Sequence, residues 1–353
     1  MEDISPFLKQ LISIPGLSGH ETPVRELTAE KWQPLVDDLS VSKLGSLHGL
    51  RRAVKSHQPT VLFAAHMDAI GLIVTSTADG FLHVTQIGGI DPRILPGQAV
   101  TVHGRRDLPG VAVLWPDRLL KSVHKNKAPT LNRILVDVGL PPEEVVEWVK
   151  IGDLVSFATP AIELTGNTLA GHSLDNRASL AALTLCLEEL HKVNLDWNLV
   201  AAATVFEEVS MAGALTSPFT LQPDLAVAID VTFAKGPGAS DYRTFPLGKG
   251  PTIGIGPNIH PYLLKLFKEV AEEIEVPYAI ETMPRSSGTD AMGMQIVGAG
   301  IPTIVIGIPL RYMHTPVEEV AIVDIRRTGR LLAAFVRKLD FETLGNLEKE
   351  MLQ

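Results

Sequence analysis

The sequence predicts an α/β protein: a mixed, mostly parallel sheet with helices on both faces, interrupted by an inserted small β-barrel. Three observations carry this expectation. Short continuous apolar runs such as "VLFAA", "LVAAATVF" and "LAVAI" suit strands buried on both faces. Long segments with apolar residues at helical spacing alternate with them. From about Leu72 to about Glu163 the texture changes to short β-rich pieces separated by Gly, Pro and Asp turns.

In order along the chain, "PFLKQLISI" and "ETPVRELTAEKW" predict helices, and "TVLFAAHMDAIGLIV" opens with a buried strand. "FLHVTQIG", "QAVTVHG", "GVAVLW" and "DLVSFA" predict the strands of a barrel or sandwich. After Thr165, "NRASLAALTLCLEELHKV" predicts a helix with Leu183, Leu187 and Leu190 on one side. Strands "NLVAAATVF" and "LAVAIDV" follow, then helix "PYLLKLFKEVAEEI" with Pro261 in its first turn. Strand "IPTIVIGI" and a helix from about Ile322 to Leu339 complete the pattern. The α/β unit thus takes residues 1–71 and 164–353, and the insert takes 72–163.

With 353 residues, 45% hydrophobic and 20% charged, the chain can bury a proper core. A net charge of -9 argues against a nucleic-acid partner, which needs clustered Lys and Arg. The single cysteine, Cys186, excludes an internal disulfide and suits a reducing compartment. It lies in an apolar helical pattern without an activating partner, so a buried structural thiol is expected. The opening "MEDISPFLKQ" lacks a basic stretch followed by an apolar core, and no apolar run approaches the ~20 residues that span a bilayer. A cytoplasmic protein with no membrane partner is the expectation.

In open α/β sheets, sites form outside the carboxyl ends of the strands. "VLFAA" ends at His66, with Asp68 two residues on; "ATVF" ends at Glu207-Glu208; "LAVAI" ends at Asp230; "TIVIGIPLRYM" leads to His314; Asp175 precedes the long helix. Each alone has a bland explanation: Asp175 a helix cap, His66 a packed histidine, Asp230 a turn, the Glu pair a solvated strand end. Together they gather two His, three Asp and two Glu at one sheet edge, where so many carboxylates repel unless cations neutralise them. Imidazoles mixed with carboxylates suit Zn, Co or Mn rather than Ca or Mg. The inventory fits two metals about 3.5–4 Å apart sharing one carboxylate. Where the strand ends and the chain turns, one Glu can ligate while its neighbour moves a proton. A contiguous pair fits poorly with a glycosidase, whose carboxyls face each other across ~5–9.5 Å.

Other features weigh less. "GTDAMG" reads as a helix cap for Asp290, and "HTPVEEV" as a capping box in which Glu318 and Glu319 are structural. His172 is at most a supporting residue, and His83, His103 and His124 are expected in surface or packing roles. No GxxxxGK[ST] phosphate loop occurs.

"HMDAIG", "LDNR", "FEEVSMAGA", "AIDV", "GTDA" and "RYMHTPVEEV", in this order and spacing, resemble the M42 family of metallo-aminopeptidases, the tetrahedral aminopeptidases with older labels of endoglucanase. The resemblance covers essentially the whole chain. It implies a binuclear metallopeptidase fold with a PDZ-like inserted dimerisation domain, and two Zn or Co ions per subunit. It implies Asp175 as bridging carboxylate, Glu208 and His314 on one metal, and His66 and Asp230 on the other. Glu207 becomes the general base, and Asp68 orients the ring of His66. Short peptides are the implied substrates, cut at the N-terminus, by dimers assembled into a hollow dodecamer. The insert's short strands, read as unpaired edges, fit such recruitment. The family usually has Glu where this chain has Ala69. The same ligand set could serve a deacylase or carboxypeptidase of related fold, with an endoglucanase a distant alternative.

Overall fold

The computed structural model describes residues 3–119, 128–239 and 241–351. The chain opens with α1 (Ser5–Ser13) and α2 (Thr22–Trp32), each with proline in its first turn, followed by β1 (Asp38–Val41), β2 (Leu47–Arg51) and β3 (Thr60–His66). Strands β4 (Gly71–Ala78), β5 (Phe81–Ile87), β6 (Ala99–His103), β7 (Asp107–Val113) and β8 (Leu135–Asp137) precede α3 (Pro142–Trp148) and β9 (Leu154–Phe157). Next come β10 (Ile162–Leu164), β11 (Thr168–Gly171), α4 (Leu174–Leu190), β12 (Asn198–Thr204), α5 (Glu207–Ser210), α6 (Ala212–Leu221) and β13 (Leu225–Phe233). The remainder is β14 (Thr252–Ile255), α7 (Pro261–Glu273), β15 (Ala279–Thr282), α8 (Asp290–Met294), β16 (Thr303–Arg311), β17 (Glu318–Ala321), α9 (Ile322–Lys338) and α10 (Thr343–Met351).

Among the described residues one large sheet runs β1-β2-β12-β3-β13-β16-β17-β11-β10, with β14 and β15 branching from β16. Its centre, β12-β3-β13-β16, is parallel, and antiparallel pairs flank it on both sides. The central strands are buried along nearly their whole length, as their continuous apolar runs require. Their carboxyl ends therefore share one edge, with Thr204 in register with His66 and Asp230 with Gly307.

Helix α4 departs from the one-sided pattern its leucines suggest: from Leu174 to Leu187 every residue is buried. It is packed between the sheet and α9, and the contact is close because Gly329 of α9 carries no side chain. A Cβ there would stand 2.7 Å from Leu185 Cβ and 2.8 Å from the carbonyl of Ala182. Phe267 of α7 stacks on Phe335 of α9 with ring centroids 3.9 Å apart. Cys186 lies in this core, its thiol pushed far up by burial, the inert state expected of it.

The remaining strands close a barrel, β4-β5-β8-β7-β6-β9, around a separate core that includes Leu72, Val74, Leu82, Val102, Val136 and Val155. Closure corrects one expectation. The barrel strands pair all the way round, so an unpaired edge is not what this segment offers a partner. No helix among the described residues is long and apolar enough to cross a membrane.

Candidate metal centre

Strand β12 ends at Thr204, and Phe206 takes a left-handed conformation (φ 61°) that turns the chain into the four-residue α5. The turn lets adjacent carboxylates share one site. Glu207 Oε2 lies 3.8 Å from His66 Nε2, and Glu208 Oε2 lies 3.5 Å from His314 Nε2. Asp68 holds the turn from the neighbouring strand end, its buried carboxylate accepting from the backbone N–H of Glu207 (3.0 Å) and Glu208 (3.2 Å) and from Ser18 Oγ (2.6 Å). Its Oδ1 also faces His66 Nδ1 at 3.4 Å.

The "LDNR" stretch distributes three tasks. Asp175 faces two imidazoles, with Oδ1 3.2 Å from His66 Nε2 and Oδ2 3.4 Å from His314 Nε2. Its two oxygens are thus turned to the imidazoles, its backbone is extended rather than helical, and the bond to Asn176 is cis. Asn176 donates to the carbonyl of Ile229, next to Asp230, and the buried Arg177 donates to the carbonyl of Ile14, tying α4 to the end of α1. Asp230 Oδ1 lies 3.8 Å from His66 Nε2.

"HTPVEEV" is not a capping box. Residues 312–317 form turns, Glu318 begins β17, and α9 starts only at Ile322. Pairing of β17 with β11 and β16 outweighs the local cap pattern. Glu318 is buried, and its two oxygens accept from the backbone N–H of Asp175 (3.0 Å) and of His314 (2.9 Å). One side chain so fixes two candidate ligands from distant parts of the chain. Asp290 differs from expectation as well: Thr289 caps α8, while Asp290 is buried behind the site and accepts from Thr204 Oγ1. Burial pushes its carboxyl up to about 6. Ser173, Phe206, Tyr312 and His314 all hold left-handed conformations around the ligands, a strain the surrounding packing must support.

Electrostatics test whether cations fit. Burial drives the carboxyls of Glu208 and Asp230 well above their ordinary range, and neighbouring Asp175 adds to both. Burial likewise pushes Glu207 up to about 7, against the pull of His66. Asp175 is held low against its burial by hydrogen bonds to His314 and His66. His66 is drawn well above its usual range by the surrounding carboxylates despite burial. Five carboxylates (Asp68, Asp175, Glu207, Glu208, Asp230) around two imidazoles leave an excess of negative charge that divalent cations would relieve. Three overlapping donor sets each lie within 4.8 Å: His66, Asp175 and Asp230; Asp175, Glu208 and His314; His66, Glu207 and Glu208. The mixed N/O donors fit such ions.

These residues line a cavity of about 450 Å³ together with Gly89, Met211, Thr232, Glu281, Met283, Thr289 and Met313. Gly88 and Gly89, which follow β5, bring the barrel against the site. A Cβ on Gly89 would stand 3.0 Å from His314 Nδ1, and one on Gly88 would stand 3.2 Å from Glu208 Oε2. No motif in the sequence signals either contact.

Of the other histidines singled out in the sequence, His83, His103 and His172 do not line this cavity. His172 is buried with its ring edge-on to Phe157, and burial pushes it down to about 3. His83 is a half-buried strand residue of β5, and His124 lies outside the described residues. His103 lies between Asp107 Oδ1 and Ser156 Oγ, each at 2.8 Å. That row copies a hydrolytic triad in outline only. Ser156 sits within β9, paired on both sides, which commits the neighbouring backbone donors an oxyanion would need.

The profile of the M42 glutamyl aminopeptidase family matches residues 45–331. A lysyl aminopeptidase of Pyrococcus furiosus is 36% identical over 341 residues, covering 94% of this chain and 96% of that protein. An aminopeptidase from the archaeon Desulfurococcus kamchatkensis superposes with a TM-score of 0.91 at 33% identity, covering 98% of this chain and 97% of its own. The TET1 peptidase of Pyrococcus horikoshii, which can assemble into a tetrahedron or a large octahedral shell, superposes with a TM-score of 0.84 at 29% identity, covering 95% of this chain and 100% of its own.

Proposed function

From the premise that this chain belongs to the M42 aminopeptidase family and is a peptide hydrolase, we propose that it removes N-terminal residues from short peptides with two divalent metal ions, Zn or Co. The observation that carries the binuclear reading is Asp175, whose two oxygens face different imidazoles, so that one carboxylate can serve two cations. In this reading His66 and Asp230 would hold one metal, Glu208 and His314 the other, and Asp175 would serve both. When bound, the metals supply Lewis acidity toward the scissile carbonyl and an attacking water at neutral pH.

Glu207 is the proton carrier. It sits beside the candidate ligands, with Oε2 3.8 Å from His66 Nε2 and its side chain lining the cavity, where it can take a proton from water and give it to the leaving amine. Asp68 keeps Glu207 in reach by accepting from its backbone N–H, and faces His66 Nδ1, so that Nε2 would be the nitrogen free to ligate. The segment 72–163 acts as an assembly domain: Leu119, Val146 and Ile151 are exposed apolar side chains there that a partner subunit would cover. Dimers joined into a dodecamer are the expected assembly, and a lone buried Cys186 suits the cytoplasm.

Metal-loaded protein given X-Gly-Gly tripeptides should release X from the free amino end and leave N-acetylated versions intact. Faster release of acetate, or of the C-terminal glycine, would instead assign a deacylase or a carboxypeptidase.

A further inference from the structure

Two buried carboxylates, Asp68 and Glu21, hold the turn that presents Glu207 and Glu208. Three successive backbone N–H groups of this turn end on their oxygens. Those of Glu207 and Glu208 go to Asp68, and that of Phe206 goes to Glu21 Oε1 at 3.3 Å. The carbonyl of Phe206 accepts from the N–H of Ser210 at 3.0 Å and of Met211 at 2.7 Å. Both backbone polar groups of this left-handed residue are therefore bonded, which helps to hold a conformation that costs energy.

Glu21 comes from the start of α2, far from Phe206 in the chain. A carboxylate at a helix start ordinarily caps its own helix, but the Glu21 side chain makes no such bond. It turns back instead, and Oε1 also accepts from the N–H of Gly19 at 2.8 Å. Gly19 has a φ of 86° in a turn closed by the N–H of His20 on the carbonyl of Leu17 (2.8 Å). Its missing side chain leaves room for the Phe206 ring: a Cβ on Gly19 would stand 3.3 Å from Cε1. Ser18 of the same turn donates to Asp68. Residues 18–21 thus grip the Phe206 turn at its ring, at its N–H and, through Asp68, at the two N–H groups that follow.

Both N–H groups that reach Glu21 land on Oε1, so a single carbonyl-type oxygen suffices for them. Burial and the nearby Asp68 push the carboxyl of Glu21 up, and backbone N–H groups oppose them. The place asks for an acceptor, and a charge there is a cost. The Glu207 carboxylate stands 3.8 Å from His66 Nε2, beyond hydrogen-bond distance, and takes its place from the backbone. Glu208 would gain a further anchor from its metal.

Resting on the reading of Glu207 as proton carrier, we propose that Glu21 is its positioning residue, fixing Phe206 and through it the place of the Glu207 carboxylate. Glu21 does not line the cavity and acts without touching substrate.

Turnover of a cleaved X-Gly-Gly tripeptide by metal-loaded variants tests this, with metal content measured alongside. Glu21→Ala should lower kcat by at least about 10-fold with KM within about 2-fold, at wild-type metal content. Glu21→Gln keeps the acceptor oxygen and should restore kcat to within about 3-fold of wild type. In a Glu207→Gln background, Glu21→Ala should change kcat by less than about 2-fold, because the group it positions is already disabled. Wild-type kcat in Glu21→Ala overturns the proposal and makes Glu21 a packing residue. Loss of metal overturns it by placing the effect on Glu208, and a Gln variant as slow as Ala overturns it by showing that the charge is needed. Additive losses in the double variant overturn it as well. If Glu21→Ala does not fold, the near-isosteric Glu21→Met takes its place, and if neither folds the Gln variant alone decides. All these outcomes leave the role of Glu207 standing. Wild-type kcat in Glu207→Gln overturns that role, and this proposal with it.

Discussion

Glu207 and Glu208 are chemically identical neighbours, and their environments separate their proposed work. Glu208 belongs to two of the three donor sets and shares His314 Nε2 with Asp175, whereas Glu207 belongs to one and is turned toward His66. Glu207→Gln should keep both metals and lower kcat by on the order of 10²-fold or more. Glu208→Gln should lose metal as well as activity. Elemental analysis of the two purified variants checks this, and a Glu207→Gln protein with an emptied site would reverse the roles. The candidate ligands were legible because strand ends announce themselves, as an apolar run broken by His or a carboxylate. Glu281 and Asp290 were not. "AIET" is an unremarkable branch strand in sequence, and only its passage over Gly307 brings its carboxylate to the cavity. Asp290 follows a genuine capping residue, Thr289, by one position, so local pattern alone assigns the cap to the wrong side chain.

At the scale of elements, β17 shows how tertiary pairing overrides a local signal. Thr315, Pro316 and Glu318 satisfy a helix-start pattern, yet Glu318 pairs across to Gly171 of β11, next in the chain to the loop that leads to Asp175. Its two carboxylate oxygens each accept one backbone N–H, so Glu318→Gln must turn an amide NH₂ toward a donor. The expected cost is about 1–3 kcal/mol of stability, with weaker metal binding because Asp175 and His314 both shift. Chemical denaturation combined with metal titration reads both effects; unchanged metal affinity would reduce Glu318 to a packing residue. The long buried strands and the principal helices were legible from their apolar runs and spacing. The pairs β1-β2 and β14-β15 were not, since four- and five-residue segments at a sheet margin carry too little periodicity to separate from loops.

For the whole molecule, barrel closure changes what assembly must use. The barrel has no free edge, so any subunit contact made through it would rest on side chains such as those of Leu119, Val146 and Ile151. Light scattering on Zn- or Co-loaded protein should report twelve chain masses, and Ile151→Asp should reduce it to smaller species while each chain stays folded. A monodisperse monomer that digests peptides of any length would refute the assembly reading.

Gly88 and Gly89 give the inserted barrel a second meaning. They bring it against Glu208 and the imidazole of His314 with no side chain intervening. The insert is therefore not a detachable cassette: replacing it with a linker would strip a wall from the cavity at the same moment that it altered the quaternary state. A contact that displaced the barrel would move Gly88 and Gly89 relative to Glu208 and His314, so any assembly built through the insert would be felt in the cavity.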